Sequence, residues 1–301
     1  MKKVWKVIFG FVFFIGLCVL FFPVFSNWYN NRVNYSQIES YENELDTLTK
    51  EEREEKLAAA RAYNDEMASG TSIKDPFSDS DKSLAGIEKL GYQTGSIIGY
   101  IEIPKINVKL SILVGTTEDV LKNGAGYMLE SSFPVGGEGT HTVITGHRGL
   151  PTAEMFRYLN ELNKGDRFFI NTYGETFAYE VDQIKVVKPF EMDDLAIVPG
   201  QDYATLITCE PYGVNSHRML VRGHRTEYSQ EDKIIEAQKN SEDQFMEFLI
   251  RYKEYLIAIA IIALVSLLII VKEIRRARKW RRLQAAKQKE ADEQKEHKEQ
   301  T

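Results

Sequence analysis

The sequence predicts a small β-barrel or β-sandwich that carries few and short helices. Short runs rich in β-branched and aromatic residues recur through the middle of the chain, and turns containing glycine or proline separate them. A long apolar run lies near each terminus. The predicted fold class is therefore mainly β, with an N-terminal and a C-terminal transmembrane helix flanking the β domain.

Composition narrows the classes of function. The chain has 301 residues, which suffice for one domain with appendages. Its formal net charge of −6 gives no reason to expect nucleic-acid binding. Of its two cysteines, Cys18 lies in the first apolar run, so a disulfide framework is excluded and Cys209 is expected to be a free thiol.

Residues 1–26 are predicted to be a transmembrane signal anchor. Three lysines precede an apolar run, residues 7–25, that is long enough to cross a bilayer, and no small-residue cleavage site follows it. Trp28 and Tyr29 then fit the aromatic belt at a membrane surface.

Two polar segments follow the anchor. Residues 27–68 are acidic and rich in Glu, Lys and Ala, and they predict a helical stalk that is solvated rather than bound to a partner. Residues 69–83 are rich in Gly, Ser and Asp and predict an exposed loop. On composition alone this loop is a linker, although a phenylalanine, Phe77, is unusual in such a segment.

Residues 84–228 contain the predicted β domain. Residues 120–124 predict a short helix that ends at glycine, residues 155–162 show helical spacing, and residues 189–199 are predicted to be a connecting loop. The predicted strands are residues 97–103, 108–114, 141–145, 168–173, 176–187, 204–207 and 218–222.

The C-terminal part predicts a second membrane crossing. Residues 229–254 are a polar linker, residues 255–271 a transmembrane helix, and residues 272–301 a charged tail that begins with a cluster of lysine and arginine. Because basic residues flank the inner ends of membrane spans, both termini are expected in the cytoplasm and the β domain outside the cell.

Three reactive side chains are predicted at strand ends. Cys209 follows the apolar run 204–207, His147 follows the run 143–145, and Arg218 begins the next predicted strand. A thiol needs a neighbouring base or cation to become a nucleophilic thiolate. Each of these residues by itself is more often structural, and their combination favours a catalytic cysteine.

Other interpretations of these polar residues remain. Arg222 lies on the same strand face as Arg218 and is interpreted as a surface or strand-end charge. His141 is interpreted as a structural residue or as one that supports the catalytic residues. A zinc site formed by Cys209, His217 and His224 would match no compact zinc motif, so no metal and no cofactor are predicted. A membrane scaffold for envelope assembly, in which Cys209 is a packing residue, is the non-enzymatic alternative.

Several motifs resemble those of the sortases, which are cysteine transpeptidases. TLITCEPYGVNSHRMLVRGHR resembles the sortase cysteine signature and the strand after it, and ITGHRGLP resembles the histidine motif. GYIEIPKINVKLSILVGTT resembles the first strands of that fold. SSFPVGGEGTHTVITGHRG and the triplet DPF resemble class C, the pilus-assembling sortases, and the likeness covers about residues 69–225.

The resemblance implies a fold and a set of site residues. It implies an eight-stranded barrel with Cys209 as nucleophile, His147 as acid and base, and Arg218, nine residues after the cysteine, as the catalytic arginine. It also implies that residues 69–83 form a lid in which Asp75 faces the arginine and Phe77 faces the cysteine. Many relatives have tryptophan at the position of Phe77, a mild departure.

The resemblance further implies substrates. Class C sortases cleave an LPxTG-like sorting signal between Thr and Gly and join the threonine to a lysine of the next pilin. Pilin subunits and the lipid bilayer are therefore the expected partners. A housekeeping sortase that anchors proteins to peptidoglycan is the alternative enzyme, but the DPF triplet and the second apolar run favour class C.

Overall fold

The computed structural model describes residues 2–67, 75–77, 86–150, 152–229, 232 and 253–299. The described residues up to 232 belong to one compact unit, and residues 253–299 belong to a second. The first unit contains the β domain and the N-terminal helices.

Eight strands close into a barrel in the order β1-β2-β3-β4-β7-β8-β6-β5, which confirms the expected architecture. The strands are β1 Ile97–Ile103, β2 Val108–Val114, β3 Ala125–Tyr127, β4 Thr140–Thr145, β5 Arg167–Thr172, β6 Glu175–Val187, β7 Asp202–Glu210 and β8 His217–Thr226. Strand β3 was not predicted, because a run as short as Ala-Gly-Tyr carries no visible alternation.

The register brings particular strand ends together. Strands β4 and β7 run parallel, with Thr145 opposite Ile207, so their carboxyl ends lie side by side. Strand β8 runs antiparallel to β7 and begins where β7 ends, with Arg218 opposite Cys209. We call this the β4–β7 end of the barrel.

The helices before the barrel differ from the predicted solvated stalk. Helix α1, Lys2–Thr47, continues without a break through the expected boundary at residue 26, and helix α2, Lys50–Met67, follows it. One face of each packs on the barrel and joins its core through Tyr41, Leu45, Leu57, Ala60 and Tyr63. The segment is helical, but the expectation that it is solvated is wrong on this face.

Polar contacts also join α1 to the barrel. Asn34 Oδ1 accepts hydrogen bonds from the backbone nitrogen of Ser111 at 3.3 Å and from its hydroxyl at 3.0 Å. Tyr41 Oη donates to the carbonyl oxygen of Ile98 at 3.1 Å and accepts from the backbone nitrogen of Tyr173 at 2.8 Å. The polar composition that suggested a solvated stalk is thus partly satisfied by the barrel.

Short helical segments complete the first unit. Helix α3, Glu118–Asn123, begins at Thr117, whose hydroxyl accepts a hydrogen bond from the backbone nitrogen of Val120. Residues 155–162 show helical spacing in the sequence. In the structure they form turns and the 3₁₀ helix Leu159–Glu161. Most of the predicted lid lies outside the described residues, but Asp75, Pro76 and Phe77 are described.

The second unit is helix α4, Lys253–Glu299. It contains the predicted span 255–271 and most of the predicted charged tail, whereas most of the predicted linker 229–254 lies outside the described residues. Among the described residues, Gly10–Thr47 and Lys253–Ala285 are long and apolar enough to cross a membrane.

Candidate active site

Strand β7 holds the thiol at the β4–β7 end. The run 204–207 continues as strand to Glu210, so Cys209 is the second-last residue of β7 and is buried. The prediction that Cys209 lies at the end of its strand is confirmed, and the pairing of Glu210 with His217 on β8 extends the strand one residue beyond the thiol. Pairing on both sides of β7 fixes the backbone beneath the thiol.

The backbone of His147 follows the strand that neighbours β7. His147 is two residues beyond Thr145 on β4, and Cys209 is two residues beyond Ile207, the residue that pairs with Thr145. Two hydrogen bonds extend this pairing, from the Gly146 backbone nitrogen to the Ile207 oxygen at 3.0 Å and from Thr208 Oγ1 to the Gly146 oxygen at 2.7 Å. Parallel neighbouring strands therefore bring the backbones of His147 and Cys209 to the same end of the barrel.

Close packing explains why glycine occupies position 146, directly before His147. A β-carbon at Gly146 would lie 2.8 Å from the ring of Phe156, which is itself fully buried. The backbone nitrogen of Phe156 donates to the carbonyl oxygen of His147 at 3.0 Å. This close approach positions the backbone of His147, and any side chain at residue 146 would disturb it.

Arg218 is bound by the predicted lid. Its Nε donates to Asp75 Oδ1 at 2.8 Å and its Nη2 donates to Asp75 Oδ2 at 2.7 Å. Its Nη1 donates to the carbonyl oxygens of Asn215 and His217, each at 3.0 Å. Asp75 thus forms the two-pronged pair that a carboxylate makes with a planar guanidinium.

Phe77 lies between the arginine and the histidine. The centre of its ring is 4.9 Å from the Arg218 guanidinium carbon and 6.0 Å from the centre of the His147 ring. It also packs against the buried cluster that includes Ile207 and Leu220. The structure therefore brings Asp75 and Phe77 to the same end of the barrel as the three predicted catalytic residues.

Burial shifts the titration of the thiol and the imidazole in opposite directions. It raises the pKa of the Cys209 thiol, with Arg218 opposing that shift and Asp75 adding to it. It lowers the pKa of the His147 imidazole, with Glu118 opposing that shift and Lys122 adding to it. With the lid residues in place, both groups therefore favour their neutral forms at neutral pH.

Two charged contacts next to the site were not predicted. Glu118 Oε2 lies 3.6 Å from His147 Nε2. Arg148 and Glu210, which directly follow His147 and Cys209 in the chain, form an ion pair that joins the loop after β4 to the end of β7. The opposite charges that follow the two reactive residues were the sequence signal for this pair.

The other polar residues considered lie outside the site. Arg222 forms a two-pronged pair with Asp182 at 3.0 and 2.8 Å and lies 4.2 Å from the ring centre of Tyr203. His141 is fully buried, with its ring nitrogens 3.0 Å from the Ala196 oxygen and 2.7 Å from Thr205 Oγ1. Both side chains therefore have partners other than Cys209, His147 and Arg218.

Comparison with known proteins identifies the family. A family model described as the sortase domain matches residues 101–226. Sortase D of Bacillus subtilis is 35% identical over 188 residues, a match that covers 60% of this chain and 87% of that protein. The chain belongs to the sortase family. Sortases are cysteine transpeptidases, and this sortase is therefore an enzyme of that kind.

Solved structures place this sortase among class C neighbours. Sortase C of Streptococcus pneumoniae is 44% identical with a TM-score of 0.60, and the match covers 64% of this chain and 97% of that chain. The pilus-related sortase C of Group B Streptococcus is 44% identical with a TM-score of 0.58, and the match covers 63% and 97% respectively. Sortase C-1 of Actinomyces oris is 44% identical with a TM-score of 0.55, covering 58% and 99%.

Proposed function

We propose that this sortase cleaves LPxTG-like sorting signals between Thr and Gly and joins the threonine to a lysine of the next pilin subunit. One observation carries the proposal: Asp75 and Phe77 lie on Arg218 beside Cys209 in a chain that resembles a pilus-related sortase at 44% identity. An LPxTG-like signal is a short extended peptide, and it would occupy the place that the lid residues hold.

The proposed first half-reaction forms a thioester. The Cys209 thiol gives its proton to His147 and its sulfur attacks the threonine carbonyl. Arg218 donates hydrogen bonds to the negative charge that develops on the carbonyl oxygen. The carbon–nitrogen bond then breaks, and His147 returns the proton to the departing glycine amine.

The second half-reaction forms the new amide bond. A lysine amine of the acceptor loses a proton to His147 and attacks the thioester carbonyl. The carbon–sulfur bond then breaks, and the proton returns to the Cys209 thiolate. Water in place of the amine would give hydrolysis, so the acceptor must reach the thioester before water does.

The lid must open before this chemistry. Asp75 occupies Nε and Nη2 of Arg218, and the remaining nitrogen, Nη1, donates to backbone oxygens of Asn215 and His217. An oxyanion can use Nε and Nη2 once the Asp75 carboxylate has left. Asp75 and the substrate thus compete for the same donors.

We also propose a two-pass topology with both termini in the cytoplasm and the barrel outside the cell. The support is the apolar composition of Gly10–Thr47 and Lys253–Ala285, together with the lysines at the start of the chain and the basic cluster after residue 271. A barrel in this position would meet pilins on the outer side of the membrane.

Incubation of the full chain with a pilin tests the proposed activity. The pilin carries an LPxTG signal and a surface lysine, and the products are separated under denaturing conditions. We expect a ladder of covalent multimers with the wild-type chain and none with Cys209→Ala. Hydrolysis without multimers, or preferential transfer to a peptidoglycan stem peptide, would contradict the pilin-joining function.

A further inference from the structure

Helix α1 meets the barrel at its β4–β7 end. Asn27 Oδ1 accepts a hydrogen bond from the Glu154 backbone nitrogen at 3.0 Å, and Asn30 Nδ2 donates to the Thr152 carbonyl oxygen at 2.9 Å. Both partners lie in the loop that follows His147. The first turn of α1 to contact the barrel therefore holds the loop that carries the histidine.

From there α1 runs toward the other end of the barrel. Asn34 contacts Ser111 in the middle of β2, and Tyr41 contacts Ile98 at the start of β1, far from the end where β4 and β7 finish. The helix rises about 21 Å between Asn27 and Tyr41, and a six-residue strand such as β4 spans about 20 Å. Helix α1 thus crosses the height of the barrel once, entering from the β4–β7 end.

The same first turn of α1 carries an exposed aromatic pair. Trp28 and Tyr29 are 60% and 57% exposed, and they point away from the barrel that Asn27 and Asn30 contact. Before them the helix is apolar and exposed through Phe25. Tryptophan and tyrosine prefer the headgroup level of a bilayer, so the loop held by Asn27 and Asn30 lies at that level. Pro23, which can bend the helix, precedes this turn. A bend at Pro23 therefore leaves the aromatic pair at the same level as the loop that Asn27 and Asn30 hold.

A second loop at this end exposes apolar side chains. Tyr212 and Val214, in the turn between β7 and β8, are 53% and 69% exposed. The Arg157 guanidinium lies 5.6 Å from the Tyr212 ring centre, and its Nη2 donates to the carbonyl oxygen of Leu150 at 2.7 Å. The turn therefore lies against the loop that α1 holds, on the side of the barrel from which α1 emerges.

We infer that the β4–β7 end of the barrel rests on the outer headgroup layer of the membrane, with Tyr212 and Val214 in contact with lipid. The inference rests on the proposed membrane anchoring of α1. An exposed aromatic ring, an aliphatic side chain and a neighbouring arginine together suit an interface that is apolar on one side and anionic on the other.

This orientation specifies where the substrate must be. Cys209, His147 and the lid residues Asp75 and Phe77 all lie at the β4–β7 end, so the site opens beside the bilayer. A peptide bound to Cys209 would then lie close to the outer headgroup layer.

Depth-dependent quenching in vesicles tests the inference. The full chain with Cys18→Ala and Cys209→Ala is reconstituted in phosphatidylcholine vesicles and labelled with a fluorophore at one engineered cysteine. Val214→Cys reports the proposed contact, and Glu138→Cys, at an exposed position before β4, reports the opposite end of the barrel. Phe14→Cys reports whether α1 enters the bilayer. Thermal unfolding confirms that each variant is folded.

The expected result is several-fold stronger quenching at position 214 than at position 138 by lipids with a quencher on the headgroup. Position 14 should be quenched by lipids with a quencher on the acyl chain. Equal quenching at 214 and 138, with position 14 still quenched, would overturn the orientation but leave the anchoring intact. Absence of quenching at position 14 would overturn both, and the pilin ladder tests the transpeptidase activity separately.

Discussion

Asp75 binds Arg218 through both carboxylate oxygens, at 2.8 and 2.7 Å, across 143 positions of sequence. The side chains of this pair are 14% and 9% exposed. A buried two-pronged pair of this kind satisfies both partners, whereas removal of one partner leaves the other without its charge-assisted bonds. The arginine opposite Cys209 is therefore occupied by Asp75 in this structure.

Removal of the lid contacts should expose the thiol. With Asp75→Ala and Phe77→Ala together, we expect a small alkylating reagent to modify Cys209 at least about tenfold faster, which corresponds to about 1.4 kcal/mol of lost closing free energy. The measurement is the alkylation rate at fixed pH. Asp182→Ala is the matched control, because it breaks the similar pair with Arg222 away from the site. Equal rates in the wild-type chain and the lid variant would show that these residues do not guard the thiol.

The contacts of Asp75 and Phe77 should also affect the pH at which Cys209 becomes reactive toward an alkylating reagent. Burial raises the pKa of Cys209 and Asp75 adds to that increase, so the wild-type thiol forms its thiolate at higher pH than an ordinary cysteine. In the Asp75→Ala, Phe77→Ala variant, the midpoint of the rate against pH should shift to lower pH. A shift to higher pH would mean that the closed lid stabilises the thiolate.

The two arginines of β8 should differ in importance. Arg218→Lys keeps a positive charge but loses the planar fork of donors, so kcat/KM for peptide cleavage should fall by about 10²-fold or more. Arg222→Lys disturbs a partly exposed pair with Asp182 and should cost less than about tenfold in activity. Steady-state peptide cleavage measures both. The reverse order of severity would assign the catalytic role to Arg222.

Turn-marked β runs predicted most of the strands but left a barrel and a sandwich both open. The resemblance to sortases implied the closed barrel and the catalytic roles of Cys209, His147 and Arg218. Contacts distant in sequence could not be predicted from pattern alone: the polar face of α1 around Asn34 looked solvated because its barrel partner, Ser111, is 77 positions away. The ion pair between Arg148 and Glu210 also joins residues that are distant in sequence, and the opposite charges after His147 and Cys209 were its sequence signal.

The docking of α1 should contribute to stability. Tyr41→Phe removes a hydroxyl that donates to Ile98 and accepts from Tyr173, so the free energy of unfolding should fall by about 1–3 kcal/mol. Denaturant unfolding of the full chain in detergent measures the change. Tyr35→Phe, at an exposed position on the same helix, is the control and should change stability by less than about 0.5 kcal/mol. Similar effects at both positions would argue that α1 does not depend on this contact.

Capture of the thioester tests the central claim most directly. The full chain is mixed with a peptide that carries an LPxTG signal, quenched with acid, digested and analysed by mass spectrometry. We expect the peptide fragment ending in threonine to be attached to Cys209 in the wild-type chain. The attached fragment should increase in the Asp75→Ala, Phe77→Ala variant and be absent from Cys209→Ala. A fragment attached elsewhere, or cleavage that persists in Cys209→Ala, would contradict the assignment of Cys209 as the nucleophile.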